Sequence, residues 1–125
     1  MKIIGIGIDI LKIKRLKRII KIYKDKFIKK ILSKKEIKKY KKKKRKINFL
    51  AKSFVIKEAT CKALGTGMKK GISFKSIEIY KNKLNKPKIN YLSKALKKKR
   101  KLGVKKSHIS FTDEKKYAQA IVILE

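Results

Sequence analysis

The chain opens on "IIGIGIDI", where isoleucines at Ile4, Ile6, Ile8 and Ile10 alternate with Gly5, Gly7 and Asp9. That alternation predicts a buried strand, and glycine at every second position predicts that another part of the molecule closely approaches its backbone. From Ile10 the period changes. Ile13, Leu16, Ile19, Ile20, Tyr23 and Phe27 recur at intervals of three and four, which predicts one amphipathic helix with Lys14, Arg15, Lys17, Arg18 and Lys21 on its outer face. Ser33 followed by Glu36 forms a capping box, so a second helix starts there and turns Ile37 and Tyr40 inward. The basic run Lys41 to Lys46 reads as a mobile, solvated loop, because like charges repel along it. Phe49, Leu50, Phe54, Ala59, Ala63 and Leu64 mark a third helix, with Gly65 placed for a left-handed cap. "ISFKSIEIY" alternates as a strand once a slip near Ser76 is allowed, and "NKLNKP" makes a turn. A short strand "KINY", a helix from about Ser93 to Leu102 closed by Gly103, and a hairpin from "HISF" to "YAQAIVILE" complete the pattern. Strands that are neighbours in sequence and free to pair antiparallel give an α+β fold, with a small, mostly antiparallel sheet packed against helices.

A length of 125 residues suits a single domain over 1–125 with a real core. Its formal net charge of +33 changes the picture only partly. Such a charge suggests a nucleic-acid binder of ribosomal type and draws in any acidic partner. Yet of the 41 basic residues only Arg15, Arg18, Arg45 and Arg100 are arginine, the residue favoured for planar phosphate recognition. Codon drift in an AT-rich genome would produce the same lysine bias, leaving a binder of no specific nucleic acid. Cys61 is the only cysteine, which excludes an internal disulfide or a cysteine metal cluster and fits a reducing cytoplasm. No run approaches about 18 apolar residues and no secretory leader is visible, so a soluble cytoplasmic protein without a membrane span is expected.

Eight acidic residues stand against this lysine excess. Asp9 ends an apolar strand, and Glu58 lies mid-helix among Phe54, Val55, Ile56 and Ala59. Buried carboxylates must be paired or hydrogen-bonded, which leaves two readings: an ion pair with a nearby lysine, or a hard divalent cation. Mg2+ commonly takes one or two protein carboxylates and completes its shell with water and phosphate oxygens. Lys62 lies one helical turn after Glu58, placed to meet such a phosphate. Gly65 and Gly67 would let backbone N–H groups approach an anion, although a helix cap explains Gly65 equally well. His108 reads as either a structural histidine or a phosphate contact, and Cys61 as small packing on the helix. "GIGIDI" lacks the three spaced glycines of a dinucleotide fingerprint.

With those residues in place, the sequence resembles the holo-[acyl-carrier-protein] synthases, the short trimeric class of 4'-phosphopantetheinyl transferases. The resemblance runs nearly end to end, through "GIGIDI", Arg15, "LSKKE" with Glu36, "FLAKSFVIKEATCKALGTG", "ISFKSIEI", "NKPKI" and "HISFTDEKKYAQAIVILE". It implies the 4'-phosphopantetheinyl transferase fold, and transfer of the 4'-phosphopantetheine arm of coenzyme A to a serine of apo acyl carrier protein in fatty acid biosynthesis. Asp9 and Glu58 match the Mg2+ ligands. Lys62 matches a lysine that neutralises the leaving phosphate, and Glu58 or a metal-bound water matches the base. Lys57, Lys62, Gly65, Thr66, Gly67, Pro87 and His108 fall where the family lines its coenzyme A site. The acidic carrier protein would dock on Lys14, Arg15, Arg18 and Lys21. A homotrimer with sites at its subunit interfaces is implied too, and the apolar strand "YAQAIVIL" suits burial on both faces. Two positions depart from the pattern: Lys12 stands where relatives have glutamate, and Ser53 where arginine is common.

Overall fold

The computed structural model describes residues 2–69 and 71–125. Strand β1 (Gly5–Lys12) leads into helix α1 (Ile13–Tyr23), followed by α2 (Asp25–Ile31), α3 (Lys34–Lys42) and the long α4 (Lys46–Ala63). A 3₁₀ turn over Phe74–Ser76 precedes the hairpin β2 (Ile77–Lys81) and β3 (Pro87–Tyr91). Helix α5 (Ser93–Leu102) then joins it to a second hairpin, β4 (Ser107–Asp113) and β5 (Tyr117–Leu124). Strand β1 adds to that second hairpin in the order β1-β5-β4, antiparallel throughout, while β2 and β3 form a separate antiparallel pair. The architecture is the expected α+β one.

Helix α4 is the centre of the core. Leu50, Ala51, Val55, Ile56, Ala59, Cys61 and Ala63 are buried along it, more than a one-sided amphipathic stripe would supply, because it is covered on several sides. It lies on the inner face of the three-stranded sheet, against Leu11, Ala118, Ala120, Val122 and Leu124. The two glycines of β1 set the spacing. A Cβ on Gly7 would fall 1.8 Å from the Ala59 carbonyl oxygen, and one on Gly5 1.9 Å from that of Ala63. The neighbour predicted to approach the β1 backbone is therefore the backbone of α4.

Local signals explain most boundaries. Ser33 caps α3 with the full reciprocal box, its side chain accepting from the Glu36 N–H while the Glu36 carboxylate accepts from the Ser33 N–H. Gly65 at φ +82° and Gly103 at φ +77° end α4 and α5 in the left-handed region.

Four expectations are corrected. The predicted first helix is two helices, broken at Lys24, whose φ of 51° reverses the chain. The Tyr23-to-Phe27 spacing survives the break, which is why periodicity alone conceals it, and Tyr23 ends up exposed rather than inward. Half of the basic run is not a loop: Lys41 and Lys42 finish α3, and α4 begins at Lys46, leaving only Lys43, Lys44 and Arg45 between the helices. The slip at Ser76 is the 3₁₀ turn, so β2 starts only at Ile77. Finally, the three-stranded sheet is covered on one face within this chain. Ile6, Ile8 and Ile10 are 57%, 52% and 59% exposed on the other.

Candidate active site

The tight glycine contact has a direct consequence two residues further along β1. Asp9 emerges on the face turned toward α4, in register with Ala120 and, beyond it, Phe111. Glu58 and Lys62, one turn apart on α4, meet it there. The Lys62 ammonium donates to Asp9 Oδ1 at 3.1 Å and to the Ile8 carbonyl at 3.0 Å. Glu58 is half-buried, and desolvation, followed by the negative charge of Asp9, pushes its carboxyl above the usual carboxylate range, with Lys62 opposing. The lysine ion pair set against a divalent cation in the sequence reading thus exists here, made by Lys62. Its side chain is half exposed, so it can leave Asp9 for an incoming anion at little cost in buried contact.

Lys57 is placed elsewhere than its resemblance to a coenzyme A contact implies. Its side chain is 0% exposed and its ammonium donates to Glu36 Oε1 and to the Ile31 carbonyl, both at 2.6 Å. Burial pulls this ammonium below the ordinary lysine value, and the Glu36 charge and hydrogen bond oppose that pull.

Gly65, Thr66 and Gly67 form the turn just after Lys62, but two of its N–H groups are already engaged. Gly65 N–H donates to the Lys62 carbonyl at 3.0 Å and Gly67 N–H to the Cys61 carbonyl at 3.2 Å, capping α4. Among the described residues, none beyond the immediate chain neighbours comes within 4 Å of a Cβ built on either glycine, so an open surface flanks the turn. Pro87 begins β3 in the separate hairpin, paired with Lys81. His108 faces Ile123 and, through it, Ile6, on the outer face of the sheet and therefore on the opposite side from Asp9. Within one chain His108 does not join the Asp9–Glu58–Lys62 cluster; its imidazole lies 3.5 Å from Glu125. Lys14, Arg15, Arg18 and Lys21 are all exposed along α1, and their spacing keeps them on its outer side.

A feature that local sequence patterns did not show is a basic cavity of about 480 Å³ beside α4, on the side of β4. Lys39, Lys43, Arg45, Lys52 and Lys81 line it, with Phe49 and Phe111 as aromatic walls. The Lys52 ammonium lies 5.5 Å from the centre of the Phe111 ring. Burial, then the charges of Lys81 and Lys43, lower the Lys52 pKa, and the carboxylate of Asp113, which also borders the cavity, opposes them. Ser53 lines this cavity too, so the absent arginine would have stood there. The clearest sequence signal for it was the Lys41–Lys46 run, read only as a solvated loop.

A strand carboxylate and a helix carboxylate thus meet beside a half-exposed lysine, where β1 crosses α4. The chain belongs to the 4'-phosphopantetheinyl transferase superfamily, whose sequence profile matches residues 5–122. The holo-[acyl-carrier-protein] synthase of Buchnera aphidicola subsp. Schizaphis graminum (strain Sg) is 52% identical over 125 residues, covering 100% of this chain and 99% of that relative. Among solved structures, the holo-[acyl-carrier-protein] synthase of Neisseria meningitidis superposes with a TM-score of 0.92 at 36% identity, covering 99% of each chain. That of Helicobacter pylori, in complex with coenzyme A, gives a TM-score of 0.82 at 33% identity over 96% of this chain and 99% of its own.

Proposed function

We propose that this chain transfers the 4'-phosphopantetheine arm of coenzyme A to a serine hydroxyl of apo acyl carrier protein, releasing adenosine 3',5'-bisphosphate, in the cytoplasm and for fatty acid biosynthesis. The observation that carries this reading is the convergence of Asp9, Glu58 and Lys62 in a member of this superfamily. The charge-based alternative, a ribosomal-type nucleic-acid binder, is not supported.

Asp9 and Glu58 fit a hard divalent cation. Their charges oppose each other in a half-buried setting, a repulsion that a cation would relieve. Among the described residues no third histidine, cysteine or carboxylate joins them, which suits Mg2+ because water and substrate oxygens complete its shell. When bound there, Mg2+ supplies charge neutralisation to the coenzyme A diphosphate as the phosphoanhydride breaks. Lys62 leaves Asp9 to neutralise the departing phosphate, and the serine proton passes to Glu58 or to water. The basic cavity offers a second anion site, suited to the remaining phosphate of coenzyme A.

A homotrimer is part of the same proposal. The outer row Ile6, Ile8 and Ile10 is an apolar surface of the kind that association covers. His108, on that face, would then approach the site of a neighbouring copy, which reconciles its position with a coenzyme A contact. The exposed bases Lys14, Arg15, Arg18 and Lys21 would steer the acidic carrier protein to α1.

Incubation with coenzyme A, Mg2+ and apo carrier protein, followed by mass spectrometry, should show addition of one phosphopantetheine. Omitting Mg2+, or substituting Glu58→Ala, should abolish it while the circular dichroism spectrum stays unchanged. No addition to a competent carrier by the wild-type protein would end the proposal.

A further inference from the structure

Lys57 and Glu36 form a buried ion pair that the reaction as described does not use. The Glu36 carboxylate is almost completely enclosed and fully engaged. Oε1 accepts from the Lys57 ammonium at 2.6 Å and from the Ser33 N–H at 2.8 Å, and Oε2 accepts from the Ile79 N–H at 2.9 Å. Lys57 closes the set by donating to the carbonyl of Ile31, the last residue of α2. One pair of side chains thus links the end of α2, the cap of α3, the middle of α4 and strand β2.

Stability alone is a poor reason for this arrangement. Enclosing two charges costs desolvation, and apolar residues of similar volume commonly replace a buried pair with no loss of stability, or with a gain. What such residues lack is direction. An apolar side chain tolerates a small rotation or slide of its helix, whereas four hydrogen bonds at these distances do not.

Direction is what the site needs from α4. Successive helical residues point about 100° apart, so the rotation that buries Lys57 also decides where Glu58 points. On the β1 side, α4 is held by the backbone contacts of Gly7 with Ala59 and Gly5 with Ala63. Those contacts set how close the helix comes to β1, but a smooth backbone contact resists rotation weakly. The Lys57–Glu36 pair, on another side of α4, adds a directional constraint to the apolar packing of the helix.

We propose that Glu36 and Lys57 are positioning residues: their ion pair fixes the rotation of α4 that aims Glu58 and Lys62 at Asp9, a role exerted through the helix and not by binding substrate. This rests on the reading above, in which Asp9, Glu58 and Lys62 carry the transfer. It replaces the coenzyme A contact expected of Lys57 with a role exerted through its neighbour in sequence.

The test compares wild type with the double variant Glu36→Leu/Lys57→Met, using full-length protein. Melting temperature, kcat, the KM for coenzyme A, and the affinity for Mn2+ alone by electron paramagnetic resonance are measured. The double variant should melt at or above the wild-type temperature, and kcat and Mn2+ affinity should each fall about 10- to 100-fold, as when residues that orient metal ligands are lost. The KM for coenzyme A should stay within about twofold: Lys57 is fully enclosed, and Glu36, though it borders the basic cavity, has both carboxylate oxygens already engaged. Wild-type kcat and Mn2+ affinity in a folded double variant would overturn the proposal, and so would a raised KM for coenzyme A with kcat unchanged. If the double variant does not fold, Glu36→Gln, which keeps the shape and the acceptor oxygen, decides by the same criteria with a smaller loss. A wild-type protein inactive toward coenzyme A would instead sink the transfer reading, and the Mn2+ comparison would still decide the positioning role.

Discussion

Replacing Gly7 by alanine puts a methyl carbon 1.8 Å from the Ala59 carbonyl oxygen and 2.7 Å from the Ala63 nitrogen. Both obstacles are backbone atoms of α4, so no rotamer change relieves the clash. Ordinary contact begins at 3.4 Å, so the helix and β1 must separate by about 1.6 Å. Overpacking a core costs about 1–3 kcal/mol where side chains can yield; with backbone on both sides, about 3 kcal/mol is the appropriate figure. At roughly 4 °C per kcal/mol for a chain of this size, the melting temperature should fall by about 10 °C. Activity should fall further, because the same displacement separates Asp9 from Glu58 and Lys62, and a misplacement of about 1 Å can cost about 100-fold in rate. Gly103→Ala is the control. Nothing lies within 4 Å of its added Cβ, so only the φ of +77° is penalised, at about 1 kcal/mol, with transfer unchanged. Denaturant unfolding and the carrier-modification rate, measured on both variants, decide the matter. A Gly7→Ala protein within about 0.5 kcal/mol of wild type and fully active would refute the claim that this backbone contact sets the site.

Two further outcomes can be checked directly. Wild type should sediment as the proposed trimer, and Ile8→Lys, on the exposed outer row, should leave the protomer folded but monomeric; a variant that still sediments as a trimer would remove that face from the interface, and a monomeric wild type would remove the trimer. Cys61 is fully enclosed, and burial, then the charge of Glu58, pushes its thiol up to about 12, so iodoacetamide at pH 8 should leave it untouched in the native protein and alkylate it in denaturant. Rapid native labelling would contradict that burial.

The parts legible in the sequence are those whose signal is local. The glycine alternation of β1, the Ser33–Glu36 box and the Gly65 and Gly103 caps each lie within a few residues of the structure they specify. Asp9 and Glu58 were legible because carboxylates are rare in this chain and these two sit in apolar runs, and Lys62 because it lies one helical turn after Glu58. Lys57 was not, because in a chain with 41 basic residues an interior lysine looks like any other, and its partner Glu36 lies 21 residues away. The basic cavity was hidden for the same reason, being assembled from α3, α4, the β2–β3 hairpin and β4. Apolar residues at nearly every position of β5 suggested a strand enclosed twice, yet one chain supplies a cover for only one face.

Helix α1 carries a different consequence. Of its eleven residues only Ile13 and Leu16 are buried, both in its first half, and the left-handed Lys24 separates it from α2. Segments secured by so few enclosed contacts open locally, well below the free energy of global unfolding. Amide hydrogens from Ile19 to Tyr23 should therefore exchange with solvent sooner than those of α4. If the carrier protein docks at Arg18 and Lys21 as proposed, it would meet a surface that it must partly steady, an ordering cost that would trade affinity for quick release. For an enzyme that must let go of each modified carrier before meeting the next, a loosely held helix at the proposed docking face would favour turnover over tight capture.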